Sequence, residues 1–454
     1  MPDRELEAPA SRFVAFACVP RDSAHSSGRL ERADEILAAQ PSVATASIHT
    51  AAVLGDAAAV ARFITADPSS ATSTGGPYGW DALTHLCFSN YLKLRRDRSD
   101  GFVRAARALL EAGASATTGF AESGDGPHAV FESALYGACG VAHHAELTQL
   151  LLEHGADPND EEVVYHSAET YDNEALHRLV ESGRLTADSL ATLLLRKCDW
   201  HDVDGVRWLL ERGADATRET RWNASVLHHA LSRDNDLEII QLLLDHRADP
   251  FRRVEGVTAI AAAARGGRGD VLDAMSRRGT PLRVDGRDAL LAACARGHGA
   301  AASTIAQTMP AALYSVRSDA GLVLSRFAGI GNTPGLRLLL ELGLPPDSRR
   351  VQGFGYFDIA AGSTPLHVAA WRARHTTVRL LIESGADVDA RDGADRTPLQ
   401  LAVRACVDSY WTDRRSPESV ALLLKAGAST FGVRFPCGYG AVDALLAQVR
   451  TSIA

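Results

Sequence analysis

Apolar and polar positions along the chain follow a short pattern that recurs many times. Two leucines or similar residues are followed by a charged residue, one further residue, and then glycine, alanine and aspartate, as in residues 151–157, 209–215 and 381–387. Apolar residues before this ending recur at i, i+3 and i+4, which is the period of one helical face. Glycine is the residue that commonly ends such a helix in a left-handed conformation. The pattern therefore predicts many short amphipathic helices, each ended by glycine.

These endings recur at a regular spacing. The glycine position falls at residues 113, 155, 183, 213, 247, 279, 343, 385 and 427, with arginine at 247. Neighbouring positions are 28 to 42 residues apart, except for one interval of 64 that we interpret as two units, the first ending near 308–315. Without the longer loops the period is about 33 residues. Two N-terminal segments, 32–44 and 58–71, have proline-containing endings, which predicts further, less regular units.

A second helix is predicted before each ending, and it carries a resemblance to a known family. Residues 363–371 read STPLHVAAW and residues 396–404 read RTPLQLAVR. Together with the Gly-Ala-Asp endings, these segments resemble the ankyrin repeat, over about residues 12–450. Thr364 and Thr397 are expected to cap the first helices, with proline in the first turn. His367 is expected to tie neighbouring repeats together.

The resemblance implies an all-α fold. We expect an ankyrin-repeat solenoid of about twelve stacked helix–turn–helix units with hairpin fingers, forming a curved superhelix. The chain is expected to be one continuous domain with three parts. These are residues 1–28, an N-terminal segment with the start of the first capping unit; residues 29–436, the repeat array; and residues 437–454, a C-terminal capping helix.

Composition narrows the class of partner. The chain has 454 residues, a net charge of -9 and 46% hydrophobic residues, so it can bury a core and lacks the basic character of nucleic-acid-binding proteins. No apolar run is long enough to span a membrane, and the N-terminus is a poor signal peptide. The seven cysteines are scattered, so we expect reduced, half-buried thiols. These features predict a cytoplasmic protein with no nucleic-acid or membrane partner.

Long loops interrupt the regular repeat and carry many of the candidate binding residues. Two inserts between paired helices are predicted at 90–102 and 406–419. Lengthened fingers between repeats are predicted at 73–81, 117–128, 217–225, 250–256, 349–362 and 431–441. Tryptophan, tyrosine and arginine in exposed loops are typical of interface anchors. The alternative is that these aromatic side chains fold back on their loops as small satellite cores.

The candidate partner-binding residues are aromatic, arginine or aspartate side chains at variable positions. In ankyrin arrays, the two positions after the alanine pair of the first helix usually face the concave side, and tryptophan or arginine stands there several times. Trp200 has an alternative role, which is to pack into the next repeat. Together with the loop residues, the candidates are Trp80, Asp199, Trp200, Trp222, Arg233, Arg265, Tyr356, Phe357, Trp371, Arg372, Arg404, Tyr410 and Trp411.

Sequence patterns of catalysis and metal binding do not occur. The chain has no GxGxxG, HExxH or GxSxG motif, and no lysine follows a glycine. The nearest polar group is residues 198–202, but His201 and Asp202 fall at a helix–helix turn, where capping is the ordinary role. We therefore expect no catalytic residue, no metal and no cofactor, and a chain that is not an enzyme.

Three functional hypotheses follow from these features. The leading one is a monomeric scaffold or adaptor that binds a partner protein or peptide on its concave face and finger loops. The second is a sensor or enzyme for an anionic small molecule, with Arg233, Arg265 and Arg372 as a clamp. The third is a secreted bacterial effector that targets a host protein. The dominance of arginine over lysine is compatible with a bacterial source.

Overall fold

The computed structural model describes residues 8–19, 30–122, 130–220, 222 and 224–453, without the side chains of 450–453. The chain divides into two compact units, Met1–Val226 (unit 1) and Leu227–Ala454 (unit 2). Parts of the predicted N-terminal segment, residues 1–7 and 20–28, lie outside the described residues, as do 123–128, 221 and 223 of two predicted fingers and the last residue, 454.

Unit 1 consists of short helices that follow one another in pairs. Its helices are α1 (Pro9–Ala17), α2 (Glu31–Ala39), α3 (Ile48–Val53), α4 (Ala57–Ala66), α5 (Ala82–Cys87), α6 (Asn90–Leu94), α7 (Ser99–Glu111), α8 (Ala134–Tyr136, continued by a π-helical turn over Gly137–Val141), α9 (Ala145–Glu153), α10 (Glu161–His166), α11 (Glu174–Glu181), α12 (Ala187–Asp199) and α13 (Val203–Glu211). Single 3-10 turns lie at Pro41–Thr45, Pro68–Ala71 and Arg96–Arg98. One finger is an antiparallel hairpin of β1 (Gly119–Ala121) and β2 (Phe131–Ser133).

Unit 2 repeats the same arrangement. Its helices are α14 (Val226–Ser232), α15 (Leu237–Asp245), α16 (Ala259–Arg265), α17 (Gly269–Arg277), α18 (Gly286–Ala295), α19 (Gly299–Thr308), α20 (Pro310–Ser318), α21 (Ala320–Ile330), α22 (Thr333–Glu341), α23 (Pro365–Trp371), α24 (His375–Glu383), α25 (Pro398–Asp408), α26 (Glu418–Lys425) and α27 (Gly440–Ile453). Single 3-10 turns lie at Gly355–Phe357 and Thr412–Arg414, and β3 (Arg253–Val254) pairs with β4 (Val257–Thr258). The pair α18–α19 is the extra unit predicted within the interval of 64 residues.

Two kinds of residue end the second helix of a pair. The predicted glycines have positive φ angles between 67° and 101°: Gly113, Gly155, Gly183, Gly213, Gly279, Gly343, Gly385 and Gly427. Arg247, in the same position, also has a φ of 70°. The other kind is proline, which disfavours the helical conformation of the residue before it, and it follows α2, α4 and α19.

The first helices begin as the sequence predicts. Thr364 and Thr397 each form a capping box at the start of α23 and α25. The His367 ring donates from Nε2 to the carbonyl of Arg396, at 2.9 Å, since a carbonyl can only accept. His228 bonds the carbonyl of Val257 in the same way, at 2.9 Å. The predicted tie between neighbouring repeats is therefore confirmed.

The turns between paired helices meet inside unit 2. Asn332, which caps α22, donates from Nδ2 to the carbonyls of Gly267 and Ala295, both at 2.7 Å. The Gly267 carbonyl lies in the turn between α16 and α17, and the Ala295 carbonyl lies at the end of α18, just before the turn to α19. Arg372, which follows α23, reaches Asp234 between α14 and α15 at 2.9 Å. The meeting turns bring residues far apart in sequence into one region.

Candidate functional site

A small apolar core in unit 2 joins the finger 349–362, helix α23 and the insert 406–419. Trp371 and Trp411 are buried, and their rings meet edge-on with centroids 5.3 Å apart. Nε1 of Trp371 donates to the carbonyl of Phe357 at 2.6 Å, and Nε1 of Trp411 donates to the carbonyl of Trp371 at 3.1 Å. Both buried indole N–H groups are therefore satisfied. We call Phe357, Trp371 and Trp411 the tryptophan cluster.

The expectation that these three aromatic residues are exposed anchors is wrong. Their exposed fractions are 7% for Phe357, 3% for Trp371 and 9% for Trp411. The lengthened finger and the insert fold over the end of α23, which gives the satellite core that the sequence left open as an alternative. Burying aromatic surface stabilises a loop that would otherwise be held by few contacts. Tyr410 stands outside this core and is 91% exposed.

Arg372 is also buried rather than presented in a groove. Its guanidinium lies 3.9 Å from the ring centroid of Phe357 and 4.9 Å from that of Trp411. Nη1 pairs with Asp234, and the residue is only 4% exposed. Its Nε has no hydrogen-bond partner among the described residues. The expectation that Arg372 is accessible is therefore wrong, because the finger and the insert cover its side chain.

Three further candidates lie at the edge of the tryptophan cluster and remain partly exposed. Arg404 lies over the ring of Trp371, 4.6 Å from its centroid, and pairs with Asp358. Arg233 lies over the ring of Tyr356, 4.1 Å from its centroid. The structure thus gathers most of the unit 2 candidates in one region, although it buries several of them.

Sequence reasoning missed Arg374 before α24 and Arg414 in the insert. It also missed Arg326 on α21, whose charge interacts with Asp234, the partner of Arg372. The Arg414 guanidinium lies 5.6 Å from the ring centroid of Trp411. Burial, followed by the charges of Arg414 and Arg372, lowers the pKa of Arg374 to about 9. Burial and the charge of Arg372 also lower the pKa of Arg414. We call Arg326, Arg372, Arg374 and Arg414 the arginine cluster.

The carboxylates around the arginine cluster leave some of its buried guanidinium N–H groups without an acceptor among the described residues. The charges of Asp234 and Asp236 act on both Arg374 and Arg414, and that of Asp413 acts on Arg414 as well. Nε and Nη1 of Arg414 are buried and have no hydrogen-bond partner within the described ranges. Part of the Arg326 side chain is exposed, and the burial of the rest lowers the pKa of Arg326. The sequence signal for the cluster is that arginine recurs at or near the turns that meet, as in Arg372 and Arg374.

In unit 1, Trp80 is a structural residue. It is 4% exposed, and its ring stacks on that of Phe120 with centroids 4.2 Å apart and planes inclined by 17°. Phe88 lies 5.9 Å away, measured between centroids. Its expected role as an exposed anchor is wrong, because neighbouring fingers pack against each other through these rings.

Of the remaining unit 1 candidates, Asp199 contacts Arg196, whereas Trp222 contacts Tyr165 and Trp200 contacts Tyr171. The Arg196 guanidinium pairs with Asp199 and lies over the Tyr165 ring, 3.9 Å from the centroid. Trp222 is 45% exposed and meets Tyr165 edge-on at 5.8 Å between centroids. Trp200 is half-buried. Binding by these residues stays a prediction.

Arg265 is held by a carboxylate of the next helix pair. Its Nε and Nη2 donate to the two oxygens of Asp288 at 2.7 and 2.9 Å. This bidentate geometry is among the stronger charge-assisted arrangements. An anion arriving at Arg265 therefore has to compete with Asp288, which argues against a clamp made by Arg265 with Arg233 and Arg372.

The polar group at 198–202 has a structural role. His201 has a φ of 52° in the turn, and Asp202 accepts from the backbone N–H of Gly205 at 2.9 Å. The predicted capping by Asp202 is confirmed. All seven cysteines are buried rather than half-buried. Within the described ranges, no group of three or more histidine, cysteine, aspartate or glutamate side chains is placed to hold a metal ion.

The helices in the described part of the chain are all too short or too polar to cross a membrane.

Comparisons with known proteins point to one class. The family "Ankyrin repeat" matches residues 361–393, and "Ankyrin repeats (3 copies)" matches residues 194–280. Similar curated proteins include a putative ankyrin repeat protein of Rickettsia bellii (strain RML369-C), 34% identical over 113 residues, which are 22% of this chain and 44% of that protein. Another is potassium channel KOR2 of Oryza sativa subsp. japonica, 38% identical over 81 residues, which are 18% of this chain. A third is human Rabankyrin-5, 36% identical over 84 residues, also 18% of this chain.

Among solved structures, the crystal structure of the human ASB11 ankyrin repeat domain aligns with 19% identity and a TM-score of 0.25, covering 58% of this chain and 96% of that one. The chain spans 10% of the channel, 7% of Rabankyrin-5 and 44% of the Rickettsia protein.

Paired short helices joined by fingers, with capped TPLH-type first helices and glycine-ended second helices, define a helical repeat protein. The segments 194–280 and 361–393 are ankyrin repeats, so the chain contains repeats of this class. The predicted all-α ankyrin-repeat class is confirmed, whereas the count of about twelve repeats and the curvature stay predictions.

Proposed function

We propose that this chain is a protein-interaction scaffold, and that unit 2 receives an acidic segment of a partner protein or peptide. Ankyrin repeats are generally protein-interaction modules. The observation that carries the proposal is the arginine cluster, in which guanidinium N–H groups of Arg372 and Arg414 are buried without an acceptor in the described part of the chain. A buried donor without an acceptor is unfavourable, and a carboxylate forms strong charge-assisted hydrogen bonds with guanidinium groups.

The insert 406–419 adds a second feature of a binding surface. Trp411 fixes the insert to the tryptophan cluster, so its neighbour Tyr410 is held in solvent on an ordered support. Aromatic residues of this kind are frequent interface hot spots, and a pre-ordered loop loses less entropy on binding. Tyr410 and Arg414 belong to the same insert, so one partner segment can contact both.

The charge of unit 2 agrees with an acidic partner. Residues 227–454 contain 27 arginine or lysine residues and 23 aspartate or glutamate residues, although the whole chain has a net charge of -9. An excess of positive charge attracts acidic segments and raises their rate of association at low salt. The excess lies in the unit that holds the arginine cluster.

A titration with a labelled octaglutamate peptide tests this proposal. We expect binding that weakens with salt and that decreases about tenfold in Arg326→Ala, because an exposed guanidinium is lost without disturbing a core. Arg337→Ala, on the exposed side of α22, is the matched control and should bind as the wild type. Equal affinity of the two variants, or no binding at all, would contradict the proposal.

A small anionic molecule is a second candidate ligand, favoured by the same guanidinium N–H groups. Thermal unfolding in the presence of inorganic phosphate, citrate or nucleotides separates the two. A rise in Tm with a free anion that disappears in Arg326→Ala, without peptide binding, would favour the sensor function. Peptide binding without such a rise would favour the scaffold.

A further inference from the structure

A buried glutamate in unit 1 has no partner for one of its oxygens. Glu132 lies in β2 opposite Phe120, and its side chain is 2% exposed. Its Oε2 has no hydrogen-bond partner among the residues that the structure describes. Burial, followed by the charges of Glu162 and Glu122, raises the pKa of Glu132 to about 8. A carboxylate in this environment is stabilised by an added cation.

The local fold gathers other acidic groups around Glu132. Its neighbour Ser133 hydrogen-bonds the side chain of Asp160, which caps α10. Asp160 in turn accepts from the backbone N–H of Glu162 at 3.0 Å. The start of α10 is thus tied to β2. Glu162 is 25% exposed, so it marks the side from which solvent reaches the group. We call Glu122, Glu132, Asp160 and Glu162 the acidic patch.

The cations near the acidic patch are already engaged. His166 pairs with Glu162 at 3.2 Å and with Glu169 at 2.9 Å. Arg196 pairs with Glu169 and Asp199. Two cations therefore face a larger number of carboxylates. Within the described ranges, Glu122, Glu132 and Asp160 have no salt bridge of their own.

We propose that the acidic patch is a receptor for one positively charged side chain, an arginine or lysine of a partner protein. This inference rests on the proposed scaffold function. It adds a second contact region, which prefers positively charged partner residues, whereas unit 2 prefers acidic ones. Residues 1–226 contain 20 arginine or lysine residues and 33 aspartate or glutamate residues, a net charge of -13.

Proton release should accompany binding. In the free protein near pH 7, Glu132 holds its proton, and an arriving guanidinium favours the carboxylate, so the proton leaves. Affinity should therefore rise with pH up to about 8 and then level off. Glu122, Asp160, Glu162 and His166 are the charged groups that act on Glu132, and they set this dependence.

The raised pKa of Glu132 also makes folding stability depend on pH, and this dependence distinguishes a binding role from a structural one. Because the pKa of Glu132 is raised in the folded state, its contribution to stability is complete below about 4.5 and is lost as the pH rises towards 8. Glu132→Gln has no proton to lose. This variant should therefore unfold at a temperature equal to or above that of the wild type at pH 8, while losing the proposed binding.

The test uses the full chain and a fluorescein-labelled peptide of alternating glycine and arginine, with citrulline in place of arginine as the neutral control. We expect the arginine peptide to bind at pH 8 and low salt, the citrulline peptide not to bind, and Glu132→Gln to weaken binding about tenfold. Glu211→Gln, an exposed glutamate at the end of α13, is the matched control and should bind as the wild type.

Wild-type affinity in Glu132→Gln, or equal binding of the citrulline peptide, would overturn the proposal. If Glu132→Gln unfolds at a lower temperature, Glu162→Gln at the open side of the patch replaces it, with the same expected loss. Failure here leaves the scaffold function intact, because the octaglutamate titration reports on unit 2 alone through Arg326.

Discussion

At the scale of single residues, the helix-ending positions show how sequence pattern becomes backbone conformation. Glycine has positive φ at each predicted slot, as at Gly385, where φ is 84°. Arg247 adopts the same conformation with φ of 70°, although a Cβ atom makes this region unfavourable. The position is therefore a site of local strain that the surrounding repeat tolerates.

Arg247→Gly should increase the free energy of unfolding by about 1 kcal/mol, because it removes the steric cost of the left-handed conformation. Chemical denaturation measures the change. Arg247→Ala serves as the control, since it removes the side chain but keeps the Cβ atom, and it should leave stability nearly unchanged. Equal gains in both variants would show that the side chain, not the backbone, is responsible.

Residue types alone did not predict burial in the irregular parts. Trp371 and Arg372 stand after the alanine pair of a first helix, a position that repeat register makes accessible. The repeat register does not predict the long finger and the insert that cover Trp371 and Arg372, because those loops have no counterpart in a regular repeat. Tyr410 and Trp411 are adjacent in sequence, yet one is 91% and the other 9% exposed.

At the scale of elements, neighbouring repeats are joined by histidines in the TPLH position. His367 is fully buried, and burial lowers its pKa. It accepts from the backbone N–H of Thr364 at 3.2 Å and donates to the carbonyl of Arg396. One side chain thus caps its own helix and fixes the next finger.

His367→Ala should lower the free energy of unfolding by about 2 kcal/mol, because the Arg396 carbonyl and the Thr364 N–H both lose a partner. The control is His246→Ala, whose ring bonds the carbonyl of Leu242 on its own helix and, among the described residues, no neighbouring repeat. That change should cost less than about 0.5 kcal/mol. Similar losses in the two variants would argue against a tie between repeats.

The ordered conformation of the insert 406–419 is predicted to depend on one buried ring, that of Trp411. Trp411→Ala should release the insert, because it removes both the indole hydrogen bond to Trp371 and the contact with that ring. Trypsin should then cleave after Arg414 or Arg415 faster than in the wild type. Tyr410→Ala should leave the cleavage rate unchanged. Protection of the insert in Trp411→Ala would contradict this account.

At the scale of the molecule, the sequence predicted the class of fold well and the burial of the candidate binding residues poorly. The period and the TPLH segments are local patterns, so they were readable from the chain, including the helix pair α18–α19 within an interval without a recognisable ending. The arginine cluster depends on turns of distant repeats that meet inside unit 2, as with Arg372 and Asp234. Such long-range contacts leave no local sequence signal. The monomeric state and the cytoplasmic location stay predictions.

The two units carry net charges of opposite sign, so the scaffold proposal makes a prediction about the charge of the partner. Unit 1 carries a net charge of -13 and the acidic patch, whereas unit 2 has four more basic than acidic residues and holds the arginine cluster. Each unit attracts partner segments of the opposite charge over long distances, and this attraction weakens as the ionic strength rises. We therefore expect a partner with segments of both signs, and an association rate that falls as salt is raised.

Site-specific photo-crosslinking in cells that naturally produce the chain tests the central claim most directly. A photoreactive residue replaces Tyr410 or, as the control, Tyr314 on α20, which is 76% exposed. We predict a discrete adduct at position 410 alone, lost in Arg326→Ala, whose crosslinked partner peptide is rich in aspartate and glutamate. The same adducts at both positions, or an adduct at 410 that Arg326→Ala leaves unchanged, would contradict the account.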